Sequence, residues 1–368
     1  MIRISEVVLP GHPDKFCDQI AEAIVAECVA TDRDAYAQIE VSAWAHRIAL
    51  TGGISTRRPL TRSLEAIVRE VAHDLYRPGN FIDPHRFEVL SKVCIEVGDC
   101  LRYTRHVNDQ AVVIGWAGYD THTRFLPPEH FLAHALGAAL FESTRNGPLT
   151  GEGPDGKLLV RLRDEGTRWQ LEHVLVTLQQ RESTRCTTLI EGITDTLAVA
   201  YSQLQQADPR WVTDLDDVTL LINPNGPLVE AGPHGDNGQT GRKLVVDFYG
   251  PRVPIGGGAL SGKHLSHIDR IGAYAARQAA IRAVTTGAET CLVRLAWAPN
   301  LPVPLDVSYE MEGRGERLPA EWFEHGAMCE RLDAGEITTA LGRGWHFWDE
   351  ALNVLCKTSP HQTSQYLP

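Results

Sequence analysis

A short apolar run at residues 4–9 leads into a segment in which Phe16, Ile20, Ile24 and Cys28 recur every four residues. That period predicts a strand followed by an amphipathic helix, and Pro13 suits the helix's first turn. Alternation over residues 37–44 and 47–51 predicts a hairpin, with Glu40 inside its first strand. A helix at about 60–76 and a strand at 87–96 follow, and then the pattern begins again. The second pass has a strand at 111–117, a helix at 128–145, a hairpin at 158–163 and 169–178, a helix near 187–205 and a strand at 218–222. The third has a strand at 244–249, a long helix near 264–284, strands at 291–297 and 305–311 and a helix at 320–332.

Three passes of hairpins alternating with helices predict an α+β chain of three similar α/β domains, each a sheet covered by helices. The boundaries fall at 1–98, 109–225 and 226–350, with a tail at 351–368. Trp345, Phe347 and Trp348 are expected to dock on the body, and residues from 358 on to fray.

Composition narrows the function. The 368 residues exceed what one core holds. A net charge of −12 argues against a general nucleic-acid binder, and a locally basic pocket would stand out against it. The eight cysteines are scattered, with no C-x-x-C pair, and read as reduced packing residues. The N-terminus has no apolar signal core and no run is long enough to span a membrane, so a cytosolic protein is expected.

Candidate chemistry concentrates in PRVPIGGGALSGKHLSHIDR, residues 251–270. Gly256, Gly257 and Gly258 allow the backbone to approach an anion, Lys263 supplies a cation and Asp269 a carboxylate, as a magnesium-bound triphosphate would require. Residues 257–263 match G-x-x-x-x-G-K, but His264 stands where a Walker loop has Ser or Thr, and Pro251 and Pro254 interrupt any strand leading in. The P-loop reading is therefore rejected. His12, Asp14 and Lys15 cluster at the start of the first helix, where free amides and the dipole favour an anion.

Taken together, GHPDK (11–15), Glu40 in a strand, DQ before a G-aromatic-A strand (109–117), PDGK (154–157), GPHGDNGQTGRKLVVDFYG (232–250) and GGGALSGKHLSHIDRIGAYAAR (256–277) resemble the S-adenosylmethionine synthetase, or methionine adenosyltransferase, family. The resemblance covers roughly residues 1–300 and is strongest over 232–277. It implies three similar domains around a pseudo-threefold axis and a homodimer, or dimer of dimers, with active sites between chains. It further implies attack of methionine sulfur on C5′ of ATP and hydrolysis of the released triphosphate to phosphate and diphosphate. His12, Lys157, Arg242, Lys243 and Lys263 match the family's phosphate donors and catalytic cations. Asp14 and Asp269 match its magnesium ligands and Glu40 its potassium ligand, while Asp155 and Asp236 match acids lining the nucleoside and reaction centre.

Around the acceptor the chain departs from the family. Gly53 stands where a glutamate would hold methionine's ammonium, and Asp120 and His122 fall near an acidic position beside the substrate. Leu228 replaces the aromatic that flanks adenine, His267 the second lysine of the glycine-rich motif, and Trp297 a smaller residue lining the amino-acid pocket. The connection at 98–108 is shorter than the family's gating loop. Three readings follow: a synthetase with a rearranged methionine pocket, in which Asp120 could pair with the ammonium; the same ATP chemistry on another acceptor, with His122 or His267 as general base if that acceptor is protic; or a noncatalytic ATP-binding partner of a true synthetase.

Overall fold

The computed structural model describes residues 1–76, 81–332 and 339–347. In chain order the elements are β1 (Ile2–Val8), α1 (Pro13–Thr31), β2 (Tyr36–Trp44), β3 (Arg47–Thr56), α2 (Leu64–Tyr76), β4 (Glu88–Val97), α3 (Leu101–Thr104), β5 (Ala111–Gly118) and α4 (Pro128–Asn146). They continue with β6 (Gly156–Asp164), β7 (Trp169–Leu178), α5 (Cys186–Ala207), β8 (Thr219–Ile222), β9 (Gly238–Gln239), α6 (Leu244–Asp247), α7 (Ile268–Thr285), β10 (Ala288–Trp297), β11 (Asp306–Gly313) and α8 (His325–Arg331). Most expected elements are present within a few residues of their predicted ends.

The strands form three sheets, ordered β1-β6-β7-β8, β11-β10-β5 and β4-β3-β2-β9. Each contains a sequence-local hairpin and recruits a strand from elsewhere: β1 pairs antiparallel with β6, β5 with β10, and β9 with β2 at Ser42 and Ala43. Those long-range pairings draw the separated motifs together. One apolar cluster joins α4, α5 and α7 to the first two sheets; a second packs α1 and α2 on the third.

The first helix forms where its apolar period predicts, but its polar face is buried as well. Every residue of α1 from Pro13 to Val25 is buried, including Asp14, Lys15, Asp18, Gln19 and Glu22. Its polar stripe is satisfied inside the protein rather than by water. Lys15 Nζ meets Asp18 at 2.7 Å and also contacts Asp247, while Asp18 accepts from the Gly241 amide at 2.9 Å.

Residues 244–249, expected as a strand, form the short helix α6 and a turn. Val245 remains exposed and Asp247 turns inward to Lys15. An apolar run this short does not distinguish strand from helix, and the buried ion pair decides. The long helix begins at Ile268 rather than 264, because His267 caps it. The predicted helix at 320–332 is split into a 3-10 turn at Ala320–Phe323 and α8. Phe347 docks as expected, 5.0 Å from Tyr249 and 5.4 Å from Phe248 between ring centroids, whereas Trp348 and the tail lie outside the described residues. The short 98–108 connection is anchored beside β2 of the third sheet: Tyr103 lies 4.8 Å from Tyr36, and Thr104 donates to the Asp34 carbonyl.

Candidate active site

The GHPDK segment turns into α1 with His12 as its N-cap. The Asp14 amide donates to His12 Nδ1 at 3.2 Å, so that nitrogen presents a lone pair and the neutral ring carries its proton on Nε2. Burial, reinforced by Lys243 and Lys157 and opposed by Asp14 and Asp236, pushes His12 down to about 3. The imidazole is thus a neutral donor at a helix N-terminus. Fully buried Asp14 accepts from the Gln239 amide at 2.9 Å and holds Lys243 Nζ at 2.5 Å, with Arg242 Nε 3.6 Å away. In this way the pairing of β9 with β2 brings the GDNGQTGRK cations onto the first helix.

PDGK joins the same place through the backbone. Gly11 donates to the Pro154 carbonyl, and a Cβ on Gly11 would lie 2.4 Å from Pro154, so only glycine permits the approach. Lys157 leads into β6 opposite Val8. Asp155 accepts from the Gly232 amide at 2.6 Å, and burial raises it to about 6 against the pull of that amide, the Gly156 amide and Lys157. Asp236 is exposed and close enough to influence both Asp155 and His12.

The glycine-rich loop reaches the neighbouring stretch of β2. Ile39 donates to the Gly262 carbonyl, and Lys263 bridges to Gln38. Its attachment at 38–39 and that of β9 at 42–43 are about four residues, or roughly 13 Å, apart along β2. Glu40 lies between them, exposed, raised by partial burial and by Asp18 and lowered by Lys263. The three glycines differ in function. Gly256 packs on the Val112 carbonyl and Gly258 on the Asp269 carboxylate, and only Gly257, at φ +98°, is open on all sides. Lys263 Nζ meets Asp269 at 2.5 Å.

Asp109, His267 and Asp269 each bring a possible ligand atom to within 4.8 Å of the others. His267 Nδ1 already accepts the Asp269 amide, which leaves two hard carboxylates, a donor set that suits magnesium. Asp14 is also a hard donor, with Gln239 and Lys243 already on its oxygens. Trp297 pairs with Ala111 at this end of β5 and is buried beside Gly272 of α7. Gly53 lies on β3 opposite Gln38, and Leu228 sits on the loop ahead of Gly232, its carbonyl accepting from Gln180.

Asp120 and His122 are not brought to these residues. They follow the opposite end of β5, about 25 Å along the strand from Asp109. Asp120 accepts from Arg210 at 2.9 Å and from the His122 amide; burial alone would raise it, but these donors bring it below its usual range. His267 is unsuited to act as a base, since burial, with Lys263 and Arg270, lowers it to about 3.

Sequence reasoning gave no role to Asp109, although it quoted the DQ motif, nor to Asp18, Glu22 and Asp247. The signal for two of these was available: Asp14, Asp18 and Glu22 repeat every four residues, the same spacing as the apolar stripe.

His264 beside the site provides a stability test. Fully buried, with Nδ1 on the Ala37 carbonyl at 3.0 Å, it is pushed down to about 3 by burial and by His267. A histidine lowered on folding contributes stability above about pH 6.5 that is lost as pH falls toward 3. His264→Asn should therefore flatten the fall in unfolding free energy between pH 6 and 4 by about 1.4 kcal/mol per pH unit, read from urea midpoints; an unchanged slope would mean the ring is not held neutral.

Cations paired with carboxylates concentrate at the N-termini of two helices on a three-sheet α+β scaffold, where free amides favour an anion. Three family models match the chain: S-adenosylmethionine synthetase N-terminal domain over residues 1–94, central domain over 104–228 and C-terminal domain over 230–328. The chain belongs to the S-adenosylmethionine synthetase family. It is 36% identical over 355 residues to S-adenosylmethionine synthase 1 of Rhodospirillum rubrum, covering 93% of this chain and 85% of that one. It is 34% identical over 330 residues to S-adenosylmethionine synthase 1 of Rhodopseudomonas palustris, covering 86% and 83%. The fold matches the structure of an unusual S-adenosylmethionine synthetase from Campylobacter jejuni, with a TM-score of 0.81 at 22% identity, over 96% and 97% of the two chains. Family membership supports ATP-dependent adenosyl transfer as the class of activity. Among the described residues no helix is long and apolar enough to cross a membrane.

Proposed function

We propose that this chain transfers the 5′-deoxyadenosyl group of ATP to a thioether sulfur, with methionine as the first acceptor to test. The sulfur lone pair forms the S–C5′ bond as the C5′–O bond breaks, and triphosphate departs with the electron pair. No proton moves in that step, which agrees with a site whose imidazoles are held neutral. The observation that carries the reading is the convergence of His12, Asp14, Lys157 and Lys243 on one helix mouth. His12, Lys157, Arg242 and Lys243 there, with Lys263 from the start of α7, stabilise the charge growing on the leaving group. Asp155 and Asp236 face the nucleoside, with Leu228 beside the base, and water then cleaves triphosphate to phosphate and diphosphate. Magnesium, when bound, would offset charge on that leaving group; Asp14 and Asp269, with Asp109 beside the latter, would hold it, and Glu40 would hold potassium. Two copies would pair with sites between them, and exposed Trp44 and Leu90 on the outer face of the third sheet suit such burial. Sedimentation of a monomer alone under assay conditions would contradict pairing.

A second reading, transfer to an acceptor without methionine's ammonium, is favoured by one feature. Gly53 offers no carboxylate, and Asp120 is bound to Arg210 at the far end of β5. Gly53→Glu separates the two readings. A Cβ there would meet Tyr36 at 3.4 Å and the Cys94 carbonyl at 4.0 Å, so the backbone accepts a side chain without displacement. If Gly53 lines the methionine pocket, the variant should lower KM for methionine about tenfold, and an unchanged KM would remove Gly53 from it.

Product analysis by mass spectrometry after incubation with ATP, magnesium and potassium, with and without methionine, tests the function directly. Methionine-dependent S-adenosylmethionine with matching phosphate release is the expected result. ATP bound but never consumed with any thioether or amine would overturn it in favour of a noncatalytic partner.

A further inference from the structure

Between Trp345 and Phe347, two of the aromatic residues expected to dock on the body, lies His346, which is fully buried. Both of its nitrogens are engaged: Nδ1 is 2.9 Å from the Tyr274 hydroxyl on α7, and Nε2 is 3.1 Å from the Ser261 hydroxyl in the glycine-rich loop. The segment is held on both sides of this ring. Gly342 packs on the α1 backbone, where a Cβ would lie 2.7 Å from Gln19, Arg343 donates to the Gln19 side chain at 3.2 Å, and Phe347 stacks on Tyr249. His346 therefore reaches the loop from a fixed base.

These contacts close a circuit. Arg270 lies one turn before Tyr274 on α7, and its guanidinium opposes the burial that raises the Tyr274 hydroxyl to about 12. Arg270 is paired in turn with Glu22, Glu22 accepts from the Gly262 amide at 3.0 Å, and Gly262 follows Ser261. Burial, reinforced by Arg270 and Lys15, pushes His346 well below its usual range, so the ring is neutral. The direction of the bonds follows from the member that can only donate. Arg270 favours the Tyr274 oxygen as acceptor, the hydroxyl proton then goes to His346 Nδ1, and Nε2–H donates to Ser261 Oγ. A buried circuit of this kind holds one geometry, since breaking a link leaves a polar group without its partner.

We infer that His346 is a positioning residue for Lys263, acting through Ser261, so that the C-terminal segment fixes the loop whose lysine faces the leaving group. This rests on the proposed triphosphate chemistry. The other ties run from Gly262 to Glu22 and Ile39, from the Lys263 carbonyl to Arg270 and from His264 to Ala37, and all of them begin after Ser261. His346 holds the loop on the side from which the chain enters.

The test compares kcat and KM for ATP in the full chain and in His346→Phe, His346→Gln and Ser261→Ala. Phenylalanine fills the place of the imidazole but makes neither hydrogen bond, whereas the amide of glutamine can accept from Tyr274 and donate to Ser261. His346→Phe should lower kcat about tenfold with KM for ATP held within about twofold, because Lys263 acts on charge that develops only as triphosphate leaves. His346→Gln should restore most of the loss. Ser261→Ala should match His346→Phe, and the double variant should be no worse than either, since both remove one link. Multiplied losses, or full kcat in His346→Phe, would overturn the inference. Should His346→Phe not fold, Ser261→Ala carries the same test, with a loss in kcat at unchanged KM expected and full kcat overturning it. Amide exchange gives a reading that needs no turnover: the Gly262 and His264 amides, bonded to Glu22 and the Ala37 carbonyl, should exchange at least about tenfold faster in Ser261→Ala. Unchanged exchange would overturn the inference whatever the activity, whereas a parent chain that never consumes ATP would overturn the proposed function and leave exchange to decide the positioning.

Discussion

Lys263→Ala is expected to slow triphosphate release by about 10²–10³-fold in kcat, the cost of removing one preorganised donor from a charged transition state. Lys263 is 8% exposed, and its ammonium is fixed at 2.5 Å from Asp269 by a loop that is itself bridged to β2. Such a cation needs no reorganisation when charge develops on the leaving group, and partial burial strengthens its effect relative to water. Alanine removes the charge and frees Asp269 to repel the polyphosphate it should help to bind. Asp14→Asn should cause a similar loss by a different route. Lys243 loses its anchor and Arg242 its nearby countercharge, while the Gln239 amide keeps an acceptor. Phosphate release together with nucleoside products by mass spectrometry reports both variants. Normal turnover in both would remove these helix mouths from the reaction.

The largest effect on stability is expected at Glu22. It and Arg270 are both fully buried and joined at 2.8 and 2.9 Å by two parallel hydrogen bonds. Glu22 also accepts from the Gly262 amide, and Arg270 donates to the Lys263 carbonyl. One ion pair therefore ties α1, the glycine-rich loop and α7 together. Burial raises the Glu22 carboxyl and Arg270 opposes it, the balance expected when desolvation competes with attraction. Glu22→Gln should cost about 3–5 kcal/mol, because it leaves the guanidinium buried without its countercharge. Replacing both residues by methionine should recover much of that loss in urea unfolding. The double variant should still turn over poorly, since Lys263 would lose the backbone support of Arg270. A single variant as stable as the parent would mean that water reaches the pair.

Much of the fold could be read from periodicity. The hairpins over 36–56 and 156–178 and the helices α4 and α5 lie near their expected positions because each buries one face on a local neighbour. Periodicity failed at 244–249, where a buried lysine on another helix claims Asp247; at α1 it found the helix, but not that its stripe of carboxylates is satisfied by distant amides and cations. A charge pattern shows that a face is polar. It does not show whether water or protein meets it.

The site divides in the same way. Sequence alone determined the family resemblance and the candidate anion-binding residues, because glycines, cations and carboxylates at these spacings are local chemical requirements. Tertiary structure decided which of them meet. It set Lys243 on Asp14 and Asp109 beside Asp269, left Asp120 with Arg210 at the other end of a strand, and fixed which nitrogen of each helix-capping histidine carries the proton. The reason is physical: whether a charged side chain is a binding group, a counterion or a structural tie depends on the strand pairings that bring its partners from far along the chain, and on the burial that determines what each encounter is worth.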